Sequence, residues 1–193
     1  MKSIRPVAIY LPQFHPIPEN DEWWGKGFTE WTNVGNAKQL FKGHYQPRVP
    51  ADLGYYDLRM TEIREEQAKI AKEAGIFGFC YWHYWFGDGK QLLERPFNEV
   101  LASGKPDFPF CLGWANESWE AKVWNVNDTP KNKVLIEQKY PGNKDNELHF
   151  YSLLNAFKDE RFIKIDGRPL FLIYKPEQFK EISLFIKHWN NLA

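Results

Sequence analysis

The sequence predicts an α/β protein with a parallel sheet of the TIM-barrel (β/α) type, containing about four βα units, or half of a (β/α)8 barrel. Four short apolar runs alternate with helical patterns along the 193 residues. No run is followed by a glycine-rich turn of the G-x-G-x-x-G type, which weakens the alternative of an open nucleotide-binding sheet. Polar and aromatic residues crowd the carboxyl ends of the runs, where barrel enzymes carry their sites. We therefore expect one domain over residues 1–193.

The strands are predicted by the four apolar runs VAIYLP, FGFCYWHYWF, PFCLGWA and RPLFLIYKP. Such runs are typical of strands covered on both faces, and they place strands near 7–11, 77–84, 109–114 and 169–174. VLIEQ, at 134–138, predicts a short additional strand. Cys80 and Cys111 lie inside two of the runs, so we expect buried thiols rather than a disulfide.

Helices are predicted between and after these strands. The helix before Gly75 has Asp57 as a candidate cap and an apolar face of Ile63, Ile70, Ala71 and Ala74. The segment 95–104 has Pro96 in its first turn and Gly104 past its last. The last two helical segments, 143–158 and 176–191, carry apolar residues at helical spacing: Leu148, Tyr151, Leu154 and Phe157 in the first, and Phe179, Ile182, Phe185 and Trp189 in the second.

Composition excludes several classes of function. The 25 basic and 25 acidic side chains cancel and no basic cluster is present, so a nucleic-acid partner is not expected. The amino-terminal apolar run is too short for a signal peptide, and no run approaches the ~18–20 residues of a membrane span. We predict a cytoplasmic protein. No cluster has metal-ligand spacing, so neither a metal nor a cofactor is predicted.

Aromatic residues, 17% of the chain, are frequent in loop-like segments, where a flat ring suits a sugar. The first strand is followed by His15 and by a long segment, about 16–50, that contains Trp24, Glu30 and Trp31. A segment of this length indicates either a functional loop or a packed Ω-loop over the barrel mouth. At the end of the second strand, alternation places Tyr81, His83 and Trp85 on one side and Trp82 and Tyr84 on the other. A lone histidine among rings is more often a hydrogen-bonded core residue than a catalyst.

The segment GWANESW, at 113–119, is the sharpest feature. Glu117 follows Asn116 and lies between two tryptophans, one of them Trp114, at the end of the third strand. A carboxyl group partly removed from water there suits a general acid or base. Alternatively, Glu117 is a structural hydrogen-bond acceptor or a ligand of a sugar hydroxyl. Lys175, after the fourth strand, could pair with Glu117, contact an anionic substrate group, or be solvated.

The segments IYLPQFHPIPENDEWWGKGFTEWTNV, GFCYWHYWF, GWANE and GRPLFLIYKP together resemble the WbsX family. That family is similar to glycoside hydrolase family 99 and occurs in polysaccharide biosynthesis of the lipopolysaccharide O-antigen type. The resemblance implies a (β/α)8 barrel that acts on glycosidic bonds, as a glycosyltransferase or as a glycoside hydrolase, on an oligosaccharide or a sugar donor and acceptor. Glu117 matches the Glu of the family's WANE segment, and its position among rings at a strand end makes it the catalytic candidate. The candidate substrate-binding residues are Tyr10, His15, Trp24, Glu30, Trp31, His83, Trp85, Trp114, Asn116 and Tyr174.

The sequence departs from the family in one respect. The family's N-E-W-x-E-G motif, whose carboxylates form the catalytic pair in the hydrolase relatives, has no counterpart after Lys175. The expectation is a chain that binds sugar weakly and is a poor catalyst alone. The alternatives are a non-catalytic glycan-binding half-barrel and a truncated gene product. A homodimer or a partner chain could complete the barrel.

Overall fold

The computed structural model describes residues 4–121 and 133–193. The strands are β1 (Val7–Tyr10), β2 (Gly78–Trp85), β3 (Gln91–Leu92), β4 (Phe110–Trp114), β5 (Trp119–Ala121), β6 (Lys133–Ile136), β7 (Lys164–Ile165), β8 (Arg168–Pro169) and β9 (Phe171–Ile173). The α-helices are α1 (Pro18–Trp24), α2 (Glu30–Asn36), α3 (Thr61–Glu73), α4 (Arg95–Ser103), α5 (Asn143–Ser152), α6 (Leu154–Lys158) and α7 (Ile182–Leu192), and Pro176–Gln178 form a 3₁₀ turn. All four predicted strands are therefore present within a few residues of their expected bounds.

The main sheet has the strand order β1-β2-β4-β9, with β3 paired antiparallel to the end of β2. β1 runs parallel to β2, with Val7 opposite Gly78 and Tyr10 opposite Tyr81. β4 runs parallel to β9, with Leu112 opposite Phe171. Two small antiparallel hairpins, β5–β6 and β7–β8, lie outside this sheet. The sequence missed the second hairpin, because Arg168 and Pro169 read as the start of one continuous strand.

The chain divides into two compact units. The first comprises Met1–Tyr81 and Leu93–Pro109, and the second comprises Trp82–Leu92 and Phe110–Ala193. In the first unit, α3 and α4 cover the face of the β1–β2 pair that carries Tyr10 and Tyr81, through contacts with Gln67 and Phe97 respectively. In the second unit, the rings of α5 and α7 cover one face of the strands.

Helix α3 has a different buried face from the predicted one. Ile70 is 40% exposed, whereas Arg64 is only 1% exposed. The Arg64 guanidinium is accommodated because Nη1 donates to the Leu58 carbonyl at 2.5 Å and lies 2.9 Å from Glu99 Oε2 of α4. The predicted cap was also wrong: Asp57 binds Arg59, and no side chain caps the helix, which begins after Met60.

Helix α5 is rotated relative to its predicted apolar stripe, and Leu148 and Tyr151 are more than half exposed. Its buried residues include Asp145, Asn146 and His149. The reason is hydrogen bonding: Trp85 Nε1 donates to Asp145 Oδ2 at 3.0 Å, and Trp189 Nε1 donates to the Asn146 carbonyl at 3.0 Å. Two buried indole N–H groups need acceptors; the helix supplies the Asp145 carboxylate to one and a backbone carbonyl to the other, so this side of α5 is buried.

Two other expectations, on the ends of α4 and on the two cysteines, were met. Pro96 lies in the first turn of α4, and Gly104 ends that helix with a φ of 72°. Cys80 and Cys111 are buried and form no disulfide with each other. The long segment after β1 contains two short helices, α1 and α2, the second capped by Thr29. None of the helices in residues 4–121 and 133–193 has the length and apolar character needed to cross a membrane.

Candidate functional site

Alternation along the strands of the second unit separates two sets of rings. His83 and Trp85 of β2 point toward the helices, where both contact His149 of α5. Trp114 of β4 also contacts His149, and it packs on Phe185 of α7. Trp82 points away from this packing, since neighbouring side chains of a strand point to opposite faces.

The helix-covered set is closed to a ligand. Trp85 and Trp114 are each 2% exposed, and His83 is 7% exposed. The His83 and His149 Nε2 atoms lie 2.8 Å apart, so one imidazole donates and the other accepts. Burial lowers the pKa of His83 to about 4 and lowers that of His149 as well, with the facing His83 as a second cause. Both rings are therefore neutral at pH 7. In the structure the predicted sugar contacts His83, Trp85 and Trp114 pack between the sheet and the helices, and contact of these side chains with a sugar remains a prediction.

The opposite face carries an accessible aromatic pair. The Trp82 ring lies 5.0 Å from the Tyr174 ring in an edge-to-face arrangement, and Tyr174 is 50% exposed. The Lys175 ammonium lies over the Tyr174 ring, 5.4 Å from its centroid. Tyr174, which the sequence nominated, thus lies at the carboxyl end of β9 with its ring open to solvent.

Glu117 lies beside this pair, just past the end of β4. Its carboxylate accepts a short hydrogen bond from Lys175 Nζ, and the Glu117 side chain is 36% exposed. The contact with Glu117 raises the pKa of Lys175. The sequence predicts a carboxyl group partly removed from water, and the structure shows a partly buried carboxylate that is ion-paired with Lys175. We name the set Trp82, Asn116, Glu117, Tyr174 and Lys175 the strand-end cluster.

Asn116 joins the two strand ends of this cluster. Its side chain is fully buried, and it forms hydrogen bonds with both the backbone N–H and the carbonyl of Lys175, each 2.8 Å long. The Tyr140 hydroxyl donates to the Asn116 carbonyl and accepts from Asn116 Nδ2, both at 3.1 Å. Asn116 is therefore positioned to hold its neighbours rather than to contact a ligand.

The cluster offers three kinds of contact. A half-exposed ring can stack on the apolar face of a sugar, a carboxylate can accept hydroxyl hydrogen bonds, and an ammonium can donate them. The carboxylate could also act in acid–base chemistry on a bound group. Within the described residues, no group of three or more His, Cys, Asp or Glu side chains could hold a metal ion.

The remaining nominated residues belong to the first unit. Tyr10 is buried and its hydroxyl donates to Gln67 Oε1 at 2.6 Å; burial raises its pKa well above the ordinary value. His15 is 1% exposed, and burial lowers its pKa. Trp31 Nε1 donates to the Tyr56 carbonyl at 2.8 Å. Tyr10 and His15 are thus packed residues in the structure, and their contact with a sugar remains a prediction.

Two first-unit candidates are more accessible. Trp24 is 46% exposed at the end of α1, where its ring contacts Phe28. Glu30 begins α2 and accepts a hydrogen bond from Asn33 Nδ2 at 3.3 Å. Binding of sugar by either residue remains a prediction.

Sequence reasoning nominated Asn116, Glu117 and Tyr174, which lie close together in the structure, but it did not nominate Trp82 or Tyr140. Binding of sugar by the nominated residues remains a prediction. Trp82 could have been found from the alternation on β2 had the helix-covered face been known. Tyr140 follows a strand of the small β5–β6 hairpin, and no local pattern connects it with Asn116.

The chain is similar in sequence to a curated protein of Xanthomonas. The uncharacterized protein WxcX of Xanthomonas campestris pv. campestris, from strains B100 and ATCC 33913, is 46% identical over 186 residues. That match covers 96% of this chain and 26% of WxcX, so the chain spans about a quarter of the length of the curated relatives.

Two solved structures have the same fold, both of the glycoside hydrolase family 99 endo-α-mannosidase from Bacteroides thetaiotaomicron. The structure in complex with bis-tris-propane has a TM-score of 0.51 at 14% identity and is matched over 90% of this chain and 42% of its own. The other structure has a TM-score of 0.50 at 14% identity, and the match covers 90% of this chain and 46% of that chain. At this identity the likeness establishes the fold, and the parallel sheet with alternating helices is part of a TIM-barrel-type architecture.

The family model described as glycosyltransferase WbsX matches residues 6–193, which is nearly the whole chain. The motifs that suggested this resemblance lie in the strand-end cluster and in the long segment after β1. The chain belongs to the WbsX glycosyltransferase family.

Proposed function

We propose that this chain supplies a carbohydrate-binding part of an enzyme that acts on glycosidic bonds in surface polysaccharide biosynthesis of the lipopolysaccharide O-antigen type. The observation that carries the proposal is the strand-end cluster, in which the Lys175 ammonium contacts both a partly exposed carboxylate, Glu117, and the half-exposed ring of Tyr174. Membership of the WbsX family and the mannosidase fold support a carbohydrate as the ligand.

Glu117 is the residue to which we assign the polar contact with the sugar. It follows strand β4, so a rigid element fixes its backbone, and the ion pair with Lys175 orients its carboxylate. Glycoside chemistry commonly needs a second carboxyl group on the other side of the bond. We therefore assign to this chain the binding of sugar and one of the carboxylates, and expect turnover by the chain alone to be near background.

The second candidate function is a glycan-binding module without turnover. The pairing of Glu117 with Lys175 favours it, because an ion-paired carboxylate is well suited to accept sugar hydroxyl groups. Completion of the barrel by a second copy or by a partner chain also remains a proposal, as does a cytoplasmic location.

The test is a titration of the chain with mannan-type and O-antigen-type oligosaccharides. Binding is measured by calorimetry and by changes in NMR chemical shifts. Tyr174→Ala should weaken binding about five- to tenfold, since aromatic contacts are worth about 1 kcal/mol. Tyr151→Ala is the matched control, because Tyr151 is similarly exposed, at 56%, in the same unit but lies on α5.

Glu117→Gln should weaken binding without loss of stability, and Glu137→Gln, an exposed carboxylate outside the cluster, should have no effect. Equal affinity of the wild-type chain and both cluster variants would refute the assignment of the cluster as the sugar site. Product release from labelled glycans by the chain alone, abolished by Glu117→Gln, would instead show that it is a sufficient catalyst.

A further inference from the structure

We propose that Asn116 is a positioning residue, whose buried carboxamide locks the backbone of Lys175 so that the Lys175 ammonium is held against Glu117. This makes Asn116 a component of the binding site that does not itself touch the ligand. The effect on sugar affinity rests on the proposed function, whereas the effect on Lys175 does not.

The Asn116 carboxamide continues the hydrogen bonding between two chain segments beyond the point where their backbone hydrogen bonds end. The last backbone hydrogen bond between these chain segments runs from the Tyr174 N–H to the Trp114 carbonyl, at 3.0 Å. Beyond it, the Lys175 N–H donates to Asn116 Oδ1 and Asn116 Nδ2 donates to the Lys175 carbonyl, each at 2.8 Å. The side chain thus takes the place of a neighbouring strand for one residue and fixes both backbone polar groups of Lys175.

The orientation of this carboxamide is determined by its partners. Oδ1 faces a backbone donor, while Nδ2 faces two acceptors, the Lys175 carbonyl and the Tyr140 hydroxyl oxygen. A rotation by 180° would place the oxygen against the carbonyl and the nitrogen against the N–H, leaving buried polar groups without partners. The bonding pattern therefore permits one orientation.

Tyr140 supports the same arrangement from a third chain segment. Its ring stacks on Phe179 with centroids 4.1 Å apart and planes 15° apart, which fixes the position of the hydroxyl group. Burial raises the pKa of Tyr140, so its hydroxyl remains a proton donor at neutral pH. That proton goes to the carbonyl of Asn116, the residue directly before Glu117.

The consequence concerns the two charged groups. Glu117 is adjacent to Asn116 in the chain, its N–H bonds to the Ala115 carbonyl at 2.9 Å, and Lys175 is the residue that Asn116 holds. One buried side chain therefore fixes the backbone on both sides of the ion pair. Exposed ion pairs normally lose much of their energy to side-chain disorder, and a fixed backbone reduces that loss.

The test observes the Lys175 ammonium directly in the ligand-free chain, by the ¹⁵Nζ–¹H signal of ¹⁵N-lysine-labelled protein at neutral pH. An ammonium held by a carboxylate exchanges its protons slowly enough to give a signal. We expect the Lys175 signal in the wild-type chain, its loss in Glu117→Gln, and its loss in Asn116→Ala although Glu117 is intact. Tyr140→Phe, which removes only the hydroxyl group, should weaken the signal.

Persistence of the Lys175 signal in folded Asn116→Ala would overturn the proposal. If Asn116→Ala does not fold, Tyr140→Phe decides, and an unchanged signal in that variant overturns the proposal equally. Calorimetry with oligosaccharides then separates the two inferences. If the variants lose the Lys175 signal but no chain binds sugar, the wild type included, the proposed function is refuted. The positioning role of Asn116 is supported in that case.

Discussion

Acidification should destabilise the second unit through the buried pair His83 and His149. In an unfolded chain both imidazoles have a pKa near 6.5, whereas burial lowers the pKa of His83 to about 4 and also lowers that of His149. Below pH 6.5 the unfolded state therefore binds more protons than the folded state, so the free energy of unfolding falls with the pH. For His83 the interval from 6.5 to about 4 corresponds to about 3 kcal/mol, lost progressively across that interval.

The measurement is urea unfolding at a series of pH values between about 7 and about 4.5, with tryptophan fluorescence as the signal. In this range the buried histidines dominate the dependence of the unfolding free energy on pH. His83→Asn introduces a side chain that does not titrate, so this variant should be less stable at pH 7 but lose less stability on acidification. His188→Gln is the control, because it removes a partly exposed histidine that is not part of the buried pair. Its Nε2 atom lies 3.3 Å from Glu147 Oε1. Carboxyl groups titrate equally in all three chains. The same loss of unfolding free energy in His83→Asn and in the wild type would refute the linkage.

Three further variants test packing within each unit by chemical denaturation. Glu99→Ala should lower the free energy of unfolding by about 2 kcal/mol, because it removes the carboxylate 2.9 Å from the buried guanidinium of Arg64; no loss would show that the remaining hydrogen bonds suffice. Gly87→Ala should cost about 2 kcal/mol, since φ is +90° and a Cβ would lie 2.9 Å from the Lys139 carbonyl oxygen. Gly104→Ala, at φ +72° with open space around it, should cost about 1 kcal/mol, and an equal cost at both glycines would contradict the steric argument.

The strands were the most predictable part of the fold. Runs such as FGFCYWHYWF are apolar on both sides of the strand, and only a strand covered on both faces accommodates them at that length. Their alternation with helices then gives the parallel connection. The positions of β2 and β4 followed to within one or two residues.

The helical faces were less predictable, because tertiary hydrogen bonds outweigh the apolar pattern. Tyr151 satisfies the helical spacing of α5 but is exposed, whereas Asp145 is buried because it accepts from the Trp85 indole. The choice depends on a residue some sixty positions away along the chain, and no window of local sequence contains it. The same limit applies to Arg64, whose burial depends on Glu99 of another helix.

The sequence predicted which strand ends carry the candidate site, but it did not predict which face of the sheet carries the rings of that site. GWANE identified Asn116 and Glu117, since polar residues at the end of a buried run are exceptional. Alternation on β2 gave two sets of rings, and the sequence favoured the set with His83 and Trp85 over the one with Trp82. Which set faces the helices depends on where His149 lies, and this is a property of the folded chain.

The separation of paired strands along the chain sets the order in which the sheet assembles. The strands β7 and β8 are joined by Asp166 and Gly167 alone, both with positive φ, so this hairpin closes on a microsecond timescale. The β1–β2 pairing instead joins segments roughly 70 residues apart, and closing that loop costs entropy before any strand contact is gained. Within the described residues β1 has four residues and pairs with β2 alone, so we expect it to join last when this chain folds and to open first. Its amide protons should accordingly exchange with solvent sooner than those of β4, at the centre of the sheet.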